Sequence, residues 1–237
     1  MVWISLESTM NPEILKNLMP QGTAGLTLIM VIAASLSFIL LFITSYVKMA
    51  VVFGLLRSAM GLNQTPPNMV LTGMAIILST FVMYPVFTKS YENGKNEFMT
   101  FSDESRDTDT RMKALERFVK LSSMPIKKFL SKHSHAREKA SFSNMASTMN
   151  DGKSPGEESF IVLMGAFLIS ELSEAFQIGF LLFLPFLIID ILVANILMAL
   201  GMHMLSPTTI SLPFKLLLFV SVSGFTLISR ALILSYG

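Results

Sequence analysis

Asp190 is the only formal charge in Leu181–Met204, a 24-residue run reading LLFLPFLIIDILVANILMALGMHM. At the centre of a bilayer a carboxylate costs about 2.5–3.5 kcal/mol unless it is paired or faces water, so it marks a site. Lys215 is its natural partner. If one helix ends near Gly201 and the next starts near Pro207, Asp190 and Lys215 lie about 16 Å and about 12 Å from the turn. A lysine stem spans that offset. Pairing within one hairpin, pairing between subunits and a role in proton coupling all remain open. Glu171 and Glu174 share a helix face at i,i+3. That spacing resembles an acid–base pair, but no nucleophile lies near it, so an interface role or a water-filled flank is expected. Lys48 and Arg57 are expected to flank the end of the first membrane helix and to snorkel toward a headgroup or subunit boundary.

Met202, His203 and Met204 follow Gly201 at the end of the same run. Thioether and imidazole are soft ligands suited to Cu(I), yet no further Met/His cluster is placed beside them. An apolar turn and a pore constriction are the two other readings. Methionine suits a constriction because it is unbranched and repacks around irregular surfaces. His133 and His135 lie in a polar stretch without ligand-spaced partners and are expected to be solvated. No Walker-type glycine loop, HExxH or GxSxG occurs. We therefore expect no catalytic residue, no metal and no cofactor, and energy for any transport must come from elsewhere.

Helices must position these residues. The 237 residues are 52% hydrophobic and 14% charged, well below the roughly 25% charged of soluble domains. Charge is concentrated in 89–158, which holds 13 Lys/Arg and 11 Asp/Glu, while the other 167 residues hold five of each. A net charge of +2 without stacking aromatics in a basic run excludes nucleic acid as partner. With no cysteine there is no disulfide or thiolate chemistry. Residues 17–47 and 58–88 are each 31 residues without a formal charge, more than the roughly 20 that cross a bilayer.

These patterns predict helices near 26–46 and 69–87, joined across Gly61–Asn68, where tandem prolines end one helix and start another. A third helix runs from about 160 to 200, with Glu171–Glu174 and Pro185 as possible breaks. A fourth covers 207–234, with Ser206 as N-cap and Pro207 in its first turn. Residues 1–21 are an N-terminal segment without the basic start of a signal peptide. Residues 22–88 form the first helical hairpin, 89–158 a small polar helical domain, and 159–237 the second hairpin. Within the polar domain Met112, Leu115, Phe118 and Val119, then Ile126, Phe129 and Leu130, recur at helical spacing. Ser141–Pro155 reads as a loop. Counting positive charge alone would place this domain in the cytoplasm, but it is longer than the loops to which that rule applies.

Five stretches carry a resemblance. They are Leu55–Asn68 (LLRSAMGLNQTPPN), Ala166–Phe180 (AFLISELSEAFQIGF), Leu184–Asp190 (LPFLIID), Met198–Met204 (MALGMHM) and Ser206–Leu217 (SPTTISLPFKLL). In this order they are similar to the export-gate family that includes FliP and SctR, across roughly residues 30–237. The resemblance implies a core subunit of a type III protein export apparatus, oligomeric, in the bacterial inner membrane, with the assembled core on the periplasmic side. It implies five copies with two smaller export-gate subunits, further contacts with large export-gate and switch proteins, and unfolded secreted proteins as cargo. The polar domain would then be periplasmic. The family often carries three methionines where this chain has Met202-His203-Met204, and Asp-Gly-Trp where it has Ser223-Gly224-Phe225.

The reading is an all-α, membrane-associated protein of two long helical hairpins with an intervening polar helical domain. Its expected function is a non-enzymatic pore subunit for protein export, surrounded by lipid. Met202, His203 and Met204 would form the constriction, and Asp190, Lys215, Glu171, Glu174 and Arg57 the buried charges that govern assembly. The alternative is a proton- or ion-coupled small-molecule transporter using Asp190 and the two glutamates as a relay.

Overall fold

Glycine and proline punctuation decides where this chain turns. The computed structural model describes residues 41–62, 65–103, 105, 107–149 and 156–237, with 27, 30, 31 and 34 described singly. All regular structure among them is helical: α1 (Tyr46–Ala59), α2 (Asn68–Ser102), α3 (Thr108–Lys132), α4 (Ala136–Met149), α5 (Phe160–Ala199), α6 (Pro207–Ser221) and α7 (Gly224–Leu234). The segment 1–21 and most of the helix expected over 26–46 lie outside the described residues. Those described at 27, 30, 31, 34, 41 and 42 are helical.

The helix predicted to end at Tyr46 instead breaks at 43–45, and a separate helix, α1, begins at Tyr46. Met49, Val52, Phe53, Leu56 and Ala59 make its buried stripe, spaced for one helix face. That stripe packs mainly on α5. Gly61 at φ +76° closes α1 in a Schellman motif, in which the Leu62 amide donates to the Arg57 carbonyl at 3.3 Å and the Gly61 amide to Ser58 at 3.0 Å.

Helix α2 extends well past the predicted 69–87. Asn93-Gly94 reads locally as a stop, yet Gly94 is a contact point. A Cβ there would lie 2.8 Å from the Phe118 ring and 2.1 Å from the Ser122 hydroxyl, so packing on α3 overrides the turn signal. Helix α3 continues through Pro125, so the two apolar sets at 112–119 and 126–130 belong to one helix. The loop predicted over 141–155 is helical as far as Met149, and residues 150–155 lie outside the description. The cause is tertiary: the Phe142 ring sits against Gly165 of α5, where a Cβ would approach it to 2.5 Å.

Helix α5 is unbroken over 40 residues despite Glu171–Glu174 and Pro185, a length of about 60 Å. The single last helix predicted for 207–234 is two. A break at Val222–Ser223 bends α6 and α7 by 59°, with Ser223 left-handed at φ +51°. Gly224 makes the bend possible, because a Cβ there would strike the Phe219 ring at 2.1 Å.

The chain divides into two compact units. One contains residues 1–41 and 89–124, and the other 42–88 and 125–237. In the first, Phe98 and Phe118 are tilted rings 5.6 Å apart. The second holds the main core, built from α1, α5 and the apolar faces around them. Residues 125–149, expected in the polar domain, pack here with the apolar helices. Helices α2 and α5 are long and apolar enough to cross a membrane, and α6 with α7 makes a third, bent candidate. Much of their surface stays apolar and uncovered, for example Ile77, Phe81, Phe180, Leu181 and Leu217.

Candidate functional site

Two buried lysines hold the ends of α1. At its start, Lys48 precedes the buried stripe by one residue and so lies on the edge of the face that meets α5. Its ammonium is 3.1 Å from Glu171 Oε1 and 2.6 Å from Glu174 Oε2. Lys48 and Glu171 are 1% and 0% exposed, and Glu174 is 32%. The Tyr236 hydroxyl donates to Glu171 Oε2, and the Lys48 ammonium lies over the Tyr236 ring, 4.1 Å from its centroid. Gly179 lets the two helices close up, since a Cβ there would meet Leu55 at 2.2 Å. The contacts 48 with 171 and 55 with 179 advance together, so α1 runs parallel to α5.

The α3–α4 corner completes this cluster. His135 Nε2 lies 3.1 Å from Glu174 Oε1, and the His135 amide donates to Ser170 Oγ at 2.9 Å. The His133 ring packs on Phe129 at 4.7 Å and on Tyr236 at 5.0 Å. Burial, then the positive Lys132 and Lys48, push the His133 imidazole down to about 4 against the pull of Glu174, which keeps it neutral where it packs. The expectation that both histidines are solvated is corrected for His133, which is wedged between aromatic rings; His135 is exposed and faces a carboxylate.

At the other end of α1 the second lysine takes over. Lys215 Nζ is 2.6 Å from Asp190 Oδ2 and donates to the Ala59 carbonyl at 3.3 Å. The buried Ser211 hydroxyl donates to Asp190 Oδ1. The Ala59 carbonyl belongs to the last turn of α1, where no intrahelical donor is left, and a cation also complements the helix dipole there. Lys215 thus does two jobs, holding Asp190 and capping α1. Snorkelling of Lys48 is overturned, because its ammonium points inward to two carboxylates. Arg57 joins neither cluster; its guanidinium donates to Asn68 Oδ1 in an exposed contact.

Asp190→Ala would leave Lys215 buried with one carbonyl and no counter-charge. We expect a loss of about 3 kcal/mol, the low end for a broken buried pair because Asp190 is 32% exposed. Asp190→Asn with Lys215→Met should lose much less. Thermal melts of the two variants compare these outcomes, and equal losses would show that the pair does not act as a unit.

The methionine tip is built by the end of α5. Gly201 at φ +73° terminates the helix in a second Schellman motif, with the Met202 amide donating to Leu197 at 2.9 Å and the Gly201 amide to Met198 at 3.0 Å. Ser206 and Pro207 then start α6. Between them Met202, His203 and Met204 all stand exposed, Met204 fully, flanked by exposed Leu200 and Leu205. Among the described residues no three His, Cys, Asp or Glu side chains converge as metal ligands.

This hairpin, with Asp190, Ser211 and Lys215 pinning its flanks, lies inside the region of a known sequence family. The pattern of the FliP family matches residues 28–232. The chain belongs to the FliP family. It is 43% identical over 199 residues to the Yop proteins translocation protein R of Yersinia pestis, covering 82% of this chain and 87% of that one. It is 39% identical over 216 residues to the hypersensitivity response secretion protein HrcR of Ralstonia nicotianae, covering 90% and 97%. To the flagellar biosynthetic protein FliP of Buchnera aphidicola it is 42% identical over 211 residues, which cover 88% of this chain and 53% of that longer one. What sequence reasoning missed in this FliP-family chain is the role of Lys48 and of the Ala59 carbonyl. The charge of Lys48 beside an apolar stripe was the available signal.

Proposed function

We propose that this FliP-family chain is a pore-forming core subunit of a type III protein export apparatus, passing unfolded secretion substrates through an oligomeric gate. The observation that carries the reading is the α5–α6 hairpin tip. A rigid 40-residue helix, fixed to α6 by a buried ion pair, presents Met202, His203 and Met204 uncovered at its end. Apolar side chains with no cover need lipid or protein around them, and a ring of methionines closes on itself and yields to a passing chain. The relatives are named for translocation, secretion and flagellar biosynthesis, which favours export over the small-molecule transporter.

In this reading five copies assemble with two smaller subunits in the bacterial inner membrane. The core lies on its periplasmic side, and large export-gate and switch proteins stand beneath. The segment 89–158 faces the periplasm. The chain does no chemistry of its own, and its buried charges serve assembly. Co-expression with the genes beside its own, followed by native mass measurement, is expected to give a complex of several copies. The chain alone is expected to aggregate in mild detergent. A stable, monodisperse monomer would contradict the proposal.

A further inference from the structure

Arg230 is the only charged side chain in residues 216–237, and among the described residues nothing pairs with it. Helix α7 buries Gly224, Ile228 and Leu232 at i,i+4 spacing. Arg230, two residues past Ile228, is about 200° around the helix from it and stands exposed on the outer face. Helix α5 repeats this arrangement. Its buried set is Glu171, Ala175 and Gly179, and the exposed residue two past the middle one is Gln177. Gln177 is the only polar side chain between Glu174 and Asp190, and its amide group has no hydrogen-bond partner among the described residues.

The two residues lie at one depth. The chain leaves the hairpin with Lys215 on Asp190 and then brings the Tyr236 hydroxyl to Glu171, so α6 and α7 run back along α5. Gln177 is six residues after Glu171, and Arg230 is six before Tyr236. Each is therefore about 9 Å from that shared anchor, on the side toward Asp190. Both point away from their buried stripes, so they do not meet within one chain. The surfaces around them match in shape. Thr226, Arg230 and Leu234, at i,i+4 spacing, form a ridge between open grooves of about 480 Å³ and about 360 Å³. On α5 an open groove of about 640 Å³ is lined by Ser173, Phe176, Gln177, Phe180 and Leu181. The surfaces also match in charge. Glu174 rims the α5 groove three residues before Gln177 and is 32% exposed. It shares the single lysine Lys48 with Glu171, and its other oxygen faces the His135 ring. Two carboxylates on one lysine can accept a second cation.

We propose that the Thr226–Arg230–Leu234 ridge of one copy docks into the α5 groove of a neighbouring copy, where the Arg230 guanidinium donates to the Gln177 side-chain carbonyl and to Glu174. A second copy standing at the same depth brings these groups level without any further partner. An i,i+4 ridge seated between i,i+4 rows is the commonest helix packing. The contact gives partners to polar groups that would be costly to cover unpaired. Because the two faces differ, the contact is heterologous, and each copy keeps one face free for the next. Such contacts build rings or open helical arrays. The inference rests on the several-copy assembly proposed above and deepens it by naming the surfaces that meet.

The test uses the absence of native cysteine. Leu181→Cys and Thr226→Cys are each ten residues from the shared anchor, are exposed, and leave Gln177 and Arg230 in place. The two variants carry different tags and are co-expressed with the genes beside their own, and the assembled complex is treated with a short bis-maleimide. The expected product is a covalent pair holding one copy of each tag, with neither cysteine pairing with itself. Arg230→Glu, added to the Thr226→Cys copy, sets a carboxylate against Glu174 and should cut the yield about tenfold. Adding Gln177→Lys to the Leu181→Cys copy should restore most of it. Native mass separates the failures. A monodisperse monomer overturns the assembly and this contact together. A complex of several copies without the mixed pair overturns the contact alone. So do pairs of one cysteine with itself, linkage to a co-expressed subunit in place of the mixed pair, or a yield unchanged by Arg230→Glu.

Discussion

Lys48→Ala is expected to be the most damaging single change outside the hairpin tip. Lys48 is 1% exposed and is the cation shared by Glu171 and Glu174. Removing it leaves Glu171, which is 0% exposed, with only the Tyr236 hydroxyl as donor. Breaking a buried pair from one side costs about 3–5 kcal/mol, because the surviving charge has no counter-ion. Typical stabilities are only about 5–15 kcal/mol. In a chain of this size such a loss lowers a melting temperature by about 10 °C. The discriminating comparison is Lys48→Met combined with Glu171→Gln, which removes both charges and keeps the volumes. That double variant should melt close to the parent. If Lys48→Ala melts as the parent does, α1 is held by its apolar stripe alone and the cluster contributes nothing to the fold.

The expected consequence extends to the far end of the chain. Tyr236 joins the cluster through its hydroxyl and its ring, and His133 and Phe129 pack against that ring. Loss of Lys48 therefore also loosens the α3–α4 corner and the residues after α7, and proteolysis should find sites there that are protected in the parent.

The two lysines also show what could be read from the residues and what could not. Asp190 and Lys215 are 25 residues apart in one hairpin. Helix rise and a turn marked by Gly201, Ser206 and Pro207 are enough to match their depths, and the structure brings them to 2.6 Å. Lys48 and Glu174 are 126 residues apart, and no local rule connects them. The break at 43–45 that makes α1 a separate helix has no proline or glycine to announce it. Lys48 was therefore assigned to a membrane boundary instead of the core.

Helix existence was legible from charge-free windows, whereas helix ends followed packing. Asn93-Gly94 looks like a turn, but Gly94 admits Phe118 and Ser122. Ser141–Met149 has a loop's composition, but Phe142 closes on Gly165. Ser223-Gly224 was the one visible sign that the last helix is two, and its meaning lay in the Phe219 ring beneath Gly224. In each case a glycine that looks permissive in sequence is a place where another element comes close. Local propensity is a weak prior against such contacts.

The hairpin tip has the larger expected functional effect. Met202, His203 and Met204 are uncovered in the chain and sit at the end of a helix pinned by Asp190 and Lys215. In the proposed assembly several such tips would form a dry apolar gap, and hydrated ions do not enter a gap that dewets. Replacing all three by Gly removes the side chains that close it. The buried pair, about 16 Å away along α5, stays intact, so assembly should survive. The direct measurement is ionic conductance, or uptake of a small dye, across membranes holding the assembled complex, parent against Met202→Gly/His203→Gly/Met204→Gly. The parent should be closed and the triple variant should leak while still passing exported protein. A triple variant that assembles fully and conducts no more than the parent would show that these residues are only a turn.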